Sequence, residues 1–409
     1  MNFATELLHG GLLPDKATGA TTLPIYQTAA YNQNSAEDLE KIFSLRKPGF
    51  IYSRIGNPTT ATFERRISDL ERGAGAVAFS SGMAAISAAI MNIVEVDDEI
   101  ISSAGLFGGT SALFGELESL GINIRYVTDN RVENFAELMT NKTKLFYVET
   151  IGNPKLDVAD ISSLAKFAHE NNLPLLVDNT VTTPYLVRPL ELGADVVIHS
   201  TSKMINGGGN SIGGIVVVGK NFRWDVEKFP KLAEFKSFGA MKYLARLRAK
   251  VLANFGSCPS PFNIFLTNVG LDTLALRMER SCQNALTLAS FCAENKNVEV
   301  NYPGLKNNFY HELAKSQFGN RFGTILTLKF GTKEKAFGFL NSLRFALKAS
   351  NIGDARTLVI HPASTIYLHS SETEKLNAGV TDDLVRVSVG IEYIVDLLDD
   401  FGLALSKTW

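Results

Sequence analysis

Lys203 lies in the stretch HSTSKMINGGGN (199–210), with Ser200 and Ser202 on its approach and Gly207, Gly208 and Gly209 just after it. A lysine amine freed from bulk water can condense with a carbonyl to form an imine. Asp178 closes the preceding apolar run, LPLLVD. A carboxylate at the carboxyl end of a buried parallel strand stands where open α/β sheets bind ligands, although alone it serves equally well as a helix cap. Adjacent strands would bring Asp178 and Lys203 to one crevice. A third stretch, FSSGMAAISAAI (79–90), reads as a strand end, a Ser-Ser-Gly turn and a small-residue helix. The first N–H groups of such a helix form an anion site. Taken singly, the three features describe a solvated lysine, a turn residue and a well-packed helix. Taken together they offer a phosphate site, an imine-forming amine and an acid to pair with a ring nitrogen. Those are the requirements of pyridoxal 5′-phosphate.

Two other motifs fail on context. Gly209-Asn210-Ser211-Ile212-Gly213 matches G-x-S-x-G, but a nucleophile elbow needs a strand before the serine and a helix after it. Here a glycine loop precedes and GIVVV follows. Gly214 to Gly219 with Lys220 approaches a phosphate-binding G-x-x-x-x-G-K. Its middle is an apolar strand and Asn221 comes next, so the backbone cannot cradle phosphates.

The elements that would carry these residues show in the apolar pattern. AVAF (76–79), EIIS (99–102), NIRYV (123–127), KLFYVE (144–149), LPLLVD (173–178), DVVIH (195–199) and GIVVVG (214–219) are short continuous runs. Such runs predict strands buried on both faces of a mostly parallel sheet. GIVVVG follows its predecessor too closely for a long crossover helix, so it is expected to pair antiparallel. Between the runs, residues 157–172 carry a helical stripe. Residues 1–60 are rich in Thr, Gln, Asn, Gly and Pro and read as an extended N-terminal arm. Residues 61–255 read as a large α/β domain of about seven strands. Residues 256–409 read as a long helix (273–295) and a smaller α+β domain. In that smaller domain FGTILTLKFG (322–331), RTLVI (356–360) and LVRVSVG (384–390) are predicted strands, and EKAFGFLNSLRFAL is a predicted helix.

The chain has 409 residues, 45% of them apolar, with 40 basic and 42 acidic side chains. That is enough for two domains and a large core. The near-neutral balance offers no nucleic-acid footprint. The N-terminus has no basic region followed by an apolar run, and no stretch reaches the roughly 20 apolar residues that span a bilayer. Three cysteines without C-x-x-C spacing make neither a disulfide framework nor a zinc site. The expectation is a soluble cytoplasmic protein without a metal.

YSRIGNPT (52–59), SSGMAA (80–85), ETIGNP (149–154), VDNT (177–180), HSTSK (199–203), GDARTLVIHPAST (353–365) and SVGIE (388–392) are quoted in chain order. On these stretches the sequence resembles the Cys/Met-metabolism family of pyridoxal-phosphate enzymes, of the aspartate-aminotransferase fold (fold-type I), over essentially the whole chain. The resemblance implies Lys203 as the Schiff-base lysine, Asp178 as partner of the pyridine nitrogen and Asn153 as contact of the ring hydroxyl. It implies Gly82, Met83, Ser200 and Ser202 around the phosphate, completed by Tyr52 and Arg54 from a neighbouring subunit of a homotetramer. Arg386 would bind the substrate α-carboxylate, with Asn153 and Thr357 nearby. Lys203 and Tyr52 would carry the proton transfers.

The sequence departs from the family at Phe107, where most members carry a tyrosine stacked on the cofactor. A phenyl ring can stack but cannot move a proton. Thr357 replaces the more usual serine. Gly109 stands where methionine γ-lyases usually have a cysteine, and Arg356 where several cystathionine-handling relatives are acidic. With the stretches PIYQTAAY (24–31), LRKPGFIYSRIGNPT (45–59) and GDARTLVIHPAST (353–365), the resemblance implies γ-replacement on O-acetylhomoserine by a sulfur donor, giving homocysteine and acetate. The donor would be sulfide, a small thiol or a carrier-protein thiocarboxylate. Cystathionine γ-synthase and methionine γ-lyase chemistry are the alternatives.

Overall fold

The apolar runs become strands because Val and Ile side chains fit the pleated, doubly covered surface of a buried sheet. The structure is a computed structural model and describes every residue except Leu13, Lys16, Ala17 and Leu45. The large sheet holds β1 (Gly75–Phe79), β2 (Glu99–Ser103), β3 (Asn123–Val127), β4 (Thr143–Glu149), β5 (Leu175–Asp178), β6 (Val196–Ser200) and β7 (Gly214–Val218). Their spatial order is β1-β7-β6-β5-β4-β2-β3. Strand β7 runs antiparallel to both β1 and β6, as its short connection requires, and the other pairings are parallel. Val177, Val197 and Val217 face one apolar layer, while Leu176, Val196, Ile198 and Val216 face the other. Each such side chain contributes about 1.5–3 kcal/mol of transfer free energy when fully buried.

A second sheet holds β8 (Glu299–Asn301), β9 (Ile325–Lys329), β10 (Leu347–Lys348), β11 (Leu358–Ile360) and β12 (Leu384–Ser388), in the order β10-β11-β12-β9-β8. The long helix spans Leu274–Ala293, close to expectation.

Three local expectations are corrected. The helix foreseen through EKAFGFLNSLRFAL stops at Ser342. The Asp400 carboxylate then accepts the N–H groups of Arg344, Phe345 and Ala346, which a continued helix would have turned inward. The helix foreseen at 157–172 spans only Ile161–Glu170, capped by Asp160, because Val158 bridges to Ile151. The N-terminal arm contains α1 (Phe3–His9) and α2 (Ala36–Phe43), before α3 (Pro58–Glu71) leads into the sheet. Among the described residues no helix is long and apolar enough to cross a membrane.

Two further helices position the site. In α4 (Gly82–Met91) the Ser81 hydroxyl caps the Ala84 N–H at 3.1 Å. Helix α5 (Gly108–Ser119) starts from Phe107. A Cβ at Gly214 would lie 2.1 Å from the Ser81 carbonyl, and one at Gly82 would lie 2.6 Å from Ser200 Cβ. Both glycines therefore let the start of α4 press against the ends of β6 and β7.

Candidate active site

The carboxyl ends of β4, β5 and β6 and the start of α4 open onto a cavity of about 740 Å³. Lys203, Asp178, Gly82, Met83, Ser200, Ser202, Phe107, Asn153 and Arg386 all line it. These residues come from six separate stretches of the sequence.

Lys203 follows β6 on a tight turn: Gly207 N–H donates to the Lys203 carbonyl at 2.8 Å, and Asn206 N–H to Thr201 at 3.0 Å. Its Nζ donates to Asn351 Oδ1 at 2.7 Å. Burial, aided by the Arg386 charge, holds its pKa below that of an ordinary lysine. The amine therefore loses its proton more easily than one in water.

Asp178 ends β5 in register with Ile198 on β6 and Glu149 on β4. Burial raises its pKa, while the Thr180 N–H, at 2.9 Å from Oδ1, favours the ionised form. Glu149 is also buried and also lines the cavity; burial first, then the nearby Asp178 charge, push it well above the usual carboxylate range. It accepts the Phe107 N–H at 2.6 Å, which anchors the segment carrying that ring. A Cβ at Gly109 would lie 2.5 Å from the Phe107 ring, so the ring occupies space that a larger residue 109 would need.

Arg386, on β12, is 3% exposed. Nη1 donates to Asn153 Oδ1 at 3.3 Å and Nη2 to the Asn351 carbonyl at 3.0 Å, while Nε has no partner. Burial lowers its pKa to about 10. A buried guanidinium held only by neutral groups and keeping a free donor calls for an anion.

Three of the expected residues do not line this cavity, two of which, Tyr52 and Arg54, the resemblance assigns to a neighbouring subunit's site. Tyr52 is 43% exposed on the N-terminal arm, with the Arg54 guanidinium 5.6 Å from its ring centroid. Arg54 donates to the Ala253 carbonyl. Neither lines the cavity of its own chain. Thr357, expected near the substrate, is fully buried away from the cavity. Its hydroxyl donates to Glu392 at 2.8 Å and accepts the Gly390 N–H at 3.0 Å, so it serves the β11–β12 junction.

Sequence reasoning missed Asn351, whose side chain holds Lys203 and whose carbonyl holds Arg386. It also missed Glu149, although a carboxylate ending an apolar strand was the very signal that singled out Asp178.

The cavity fits pyridoxal 5′-phosphate on its own chemistry. The first N–H groups of α4 lack intrahelical acceptors, and the Ser200 side chain packs directly against Gly82 beside them. Asp178 offers a buried acid, and Lys203 a desolvated amine, in the same enclosure. The fold and this site define a pyridoxal-phosphate enzyme. Residues 4–406 match the family described as Cys/Met metabolism PLP-dependent enzyme, and the chain belongs to that family.

A homocysteine synthase of Schizosaccharomyces pombe is 41% identical, covering 99% of this chain and 98% of its own. An O-acetyl-L-homoserine sulfhydrylase of Leptospira meyeri is 41% identical, covering 99% of this chain and 97% of its own. A solved structure described as an O-acetylhomoserine (thiol)-lyase of Campylobacter jejuni, which carries a pyridoxyl-lysine, aligns with a TM-score of 0.95. It is 32% identical and covers 99% of this chain and 100% of its own.

Proposed function

We propose that this protein exchanges the acetoxy group at Cγ of O-acetylhomoserine for sulfur from sulfide, releasing homocysteine and acetate. One observation carries the reading: a single cavity joins a desolvated amine, Lys203, to a buried guanidinium, Arg386, that has no carboxylate partner. That pairing suits an α-amino acid. The full-length relatives named for this activity support the choice of side chain.

Pyridoxal phosphate supplies an electron-accepting ring that acidifies the substrate Cα. Gly82, Met83, Ser200 and Ser202 would hold its phosphate, Asp178 its ring nitrogen, Asn153 its ring hydroxyl and Phe107 its face. Arg386 takes the substrate carboxylate in a forked contact. The Lys203 amine would remove the proton from Cα, give it up to the conjugated imine and, free again, take the proton from Cβ, which sets up departure of acetate from Cγ. Once sulfide has added at the same carbon, protons return to Cβ and Cα. A placed base of this kind contributes about 10²- to 10⁴-fold to a proton transfer. Phe107 moves no proton, so this work falls to Lys203, with Tyr52 from a neighbouring subunit.

Lys203 and Arg386 are the only cations among the described residues that line the cavity, and the cofactor and the α-carboxylate engage both. With Arg54 of the neighbouring subunit given to the phosphate, no cation of the site is left to pair with a second substrate carboxylate. O-acetylhomoserine is therefore expected to exceed O-succinylhomoserine in kcat/KM by about 30-fold or more, the cost of one unpaired buried charge being at least about 2 kcal/mol. Steady-state rates with sulfide and each ester check this, and equal values would sink the acyl assignment.

We further propose a cytoplasmic homotetramer whose paired subunits share sites through Tyr52 and Arg54. Their exposure on the arm, outside their own cavity, supports this. Mixing Arg54→Ala protein with Lys203→Ala protein is expected to restore part of the activity, because hybrid pairs hold one site with both native residues. Demonstrated subunit exchange without recovery would count against shared sites.

A further inference from the structure

Arg277 is a half-buried cation that makes no ion pair among the described residues. It stands in the first turn of the helix Leu274–Ala293. Its Nη1 donates to the Met204 carbonyl at 2.6 Å, and its Nη2 to the carbonyls of Ile205 at 3.1 Å and Gly270 at 2.7 Å. Its Nε donates to the Thr273 hydroxyl at 3.1 Å. Burial alone lowers its pKa, to about 10. Burying a charge against neutral acceptors is costly, so the site gives something in return.

What the guanidinium grips is the turn that carries the lysine. Met204 and Ile205 directly follow Lys203, and both are 1% exposed. Gly207 has φ +65°, and a Cβ there would fall 2.0 Å from Arg277 Nη1. A Cβ at Gly270 would fall 1.9 Å from the Asn206 carbonyl. Two glycines thus let the lysine turn sit directly on the helix junction at 270–277, and one planar fork satisfies three carbonyls there. On the other side Ala355 N–H donates to the Gly207 carbonyl at 2.9 Å, and Gly353 packs on Met204. The turn is clamped between the long helix and the segment carrying Asn351, the residue that receives Lys203 Nζ.

We propose that Arg277 is a positioning residue for Lys203, fixing the turn after it so that Nζ enters the cavity in reach of the cofactor aldehyde. This rests on the cofactor reading above. Apoprotein is mixed with pyridoxal 5′-phosphate, and the rate of condensation of Nζ with the aldehyde, with loss of one water, is followed by the visible imine band. Affinity for pyridoxine 5′-phosphate, which has no aldehyde and cannot condense, is measured alongside.

In Arg277→Met and Arg277→Lys the condensation rate is expected to fall about tenfold or more, as a misplacement near 1 Å does. Pyridoxine 5′-phosphate affinity is expected to stay within about twofold, because the phosphate and ring contacts are untouched. Lysine keeps the charge but not the fork, so it rescues little. Rates equal to wild type overturn the proposal. So does a parallel loss of condensation, analogue affinity and Tm, which would mark Arg277 as merely structural. If Arg277→Met does not fold, Thr273→Val, which removes the acceptor of Nε together with that hydroxyl's bond to the Gly270 carbonyl, is expected to slow condensation in the same assay; an unchanged rate contradicts the proposal. A wild type that forms no imine band overturns the cofactor reading instead.

Discussion

Replacing Lys203 with alanine is expected to lower kcat for homocysteine formation by about 10³-fold or more, the upper range for removing a placed base that also holds the reactive group. No second amine lies in the cavity among the described residues to take over. Asn351 and Arg386, which hold or neighbour Nζ, carry no proton acceptor of comparable basicity. The alanine side chain leaves the phosphate and ring contacts intact, so cofactor is still expected to bind, but without a covalent link. Steady-state turnover and the mass of protein after borohydride reduction check both halves. Activity within tenfold of wild type, or wild-type label recovered at Lys220 or Lys242, would contradict the assignment.

The second large effect is at Arg386. Arg386→Leu is expected to lower kcat/KM for O-acetylhomoserine by roughly 30- to 4,000-fold, the kinetic equivalent of about 2–5 kcal/mol for truncating one partner of a buried charge pair. Stability is expected to move the other way or hardly at all. The native guanidinium is buried without a carboxylate partner and with an unpaired Nε, and an apolar side chain of similar size removes that desolvation cost. Arg386→Lys keeps the charge without the fork and is expected to recover only part of the loss. Kinetics and thermal unfolding of the same preparations separate the two effects. A fall in kcat/KM that merely tracks a fall in Tm would make Arg386 a packing residue.

The fold was most legible where burial is symmetric. Strands β1, β2 and β4 to β7 are short, largely apolar and covered on both faces, so their continuous runs announce them, while edge strand β3 exposes Asn123 and Arg125; the brief link from Ser200 to Gly214 sets the direction of β7. Strands β8 and β10 have only three and two residues, exposed or half-buried and none fully buried, so they have no pattern to read. The helix that stops at Ser342 was overridden from a distance, by Asp400.

The site divides in the same way. Lys203, Asp178 and the start of α4 are set by strand ends and a helix start, which periodicity locates. Asn351 was not legible because an asparagine in the polar stretch Ser350-Asn351-Ile352-Gly353-Asp354 reads as a turn residue; only the fold brings it 2.7 Å from a lysine near the middle of the chain. Thr357 was misplaced because its hydroxyl is taken by Glu392, a contact made only when β11 and β12 pair.

The central claim is replacement at Cγ rather than elimination, and product stoichiometry tests it most directly. O-acetylhomoserine is incubated with the holoenzyme with and without sulfide, and homocysteine, acetate, ammonia and 2-oxobutanoate are counted. The account predicts homocysteine and acetate in equal amounts when sulfide is present, with little 2-oxobutanoate. Acetate matched by 2-oxobutanoate and ammonia despite saturating sulfide would contradict it and make the protein a lyase.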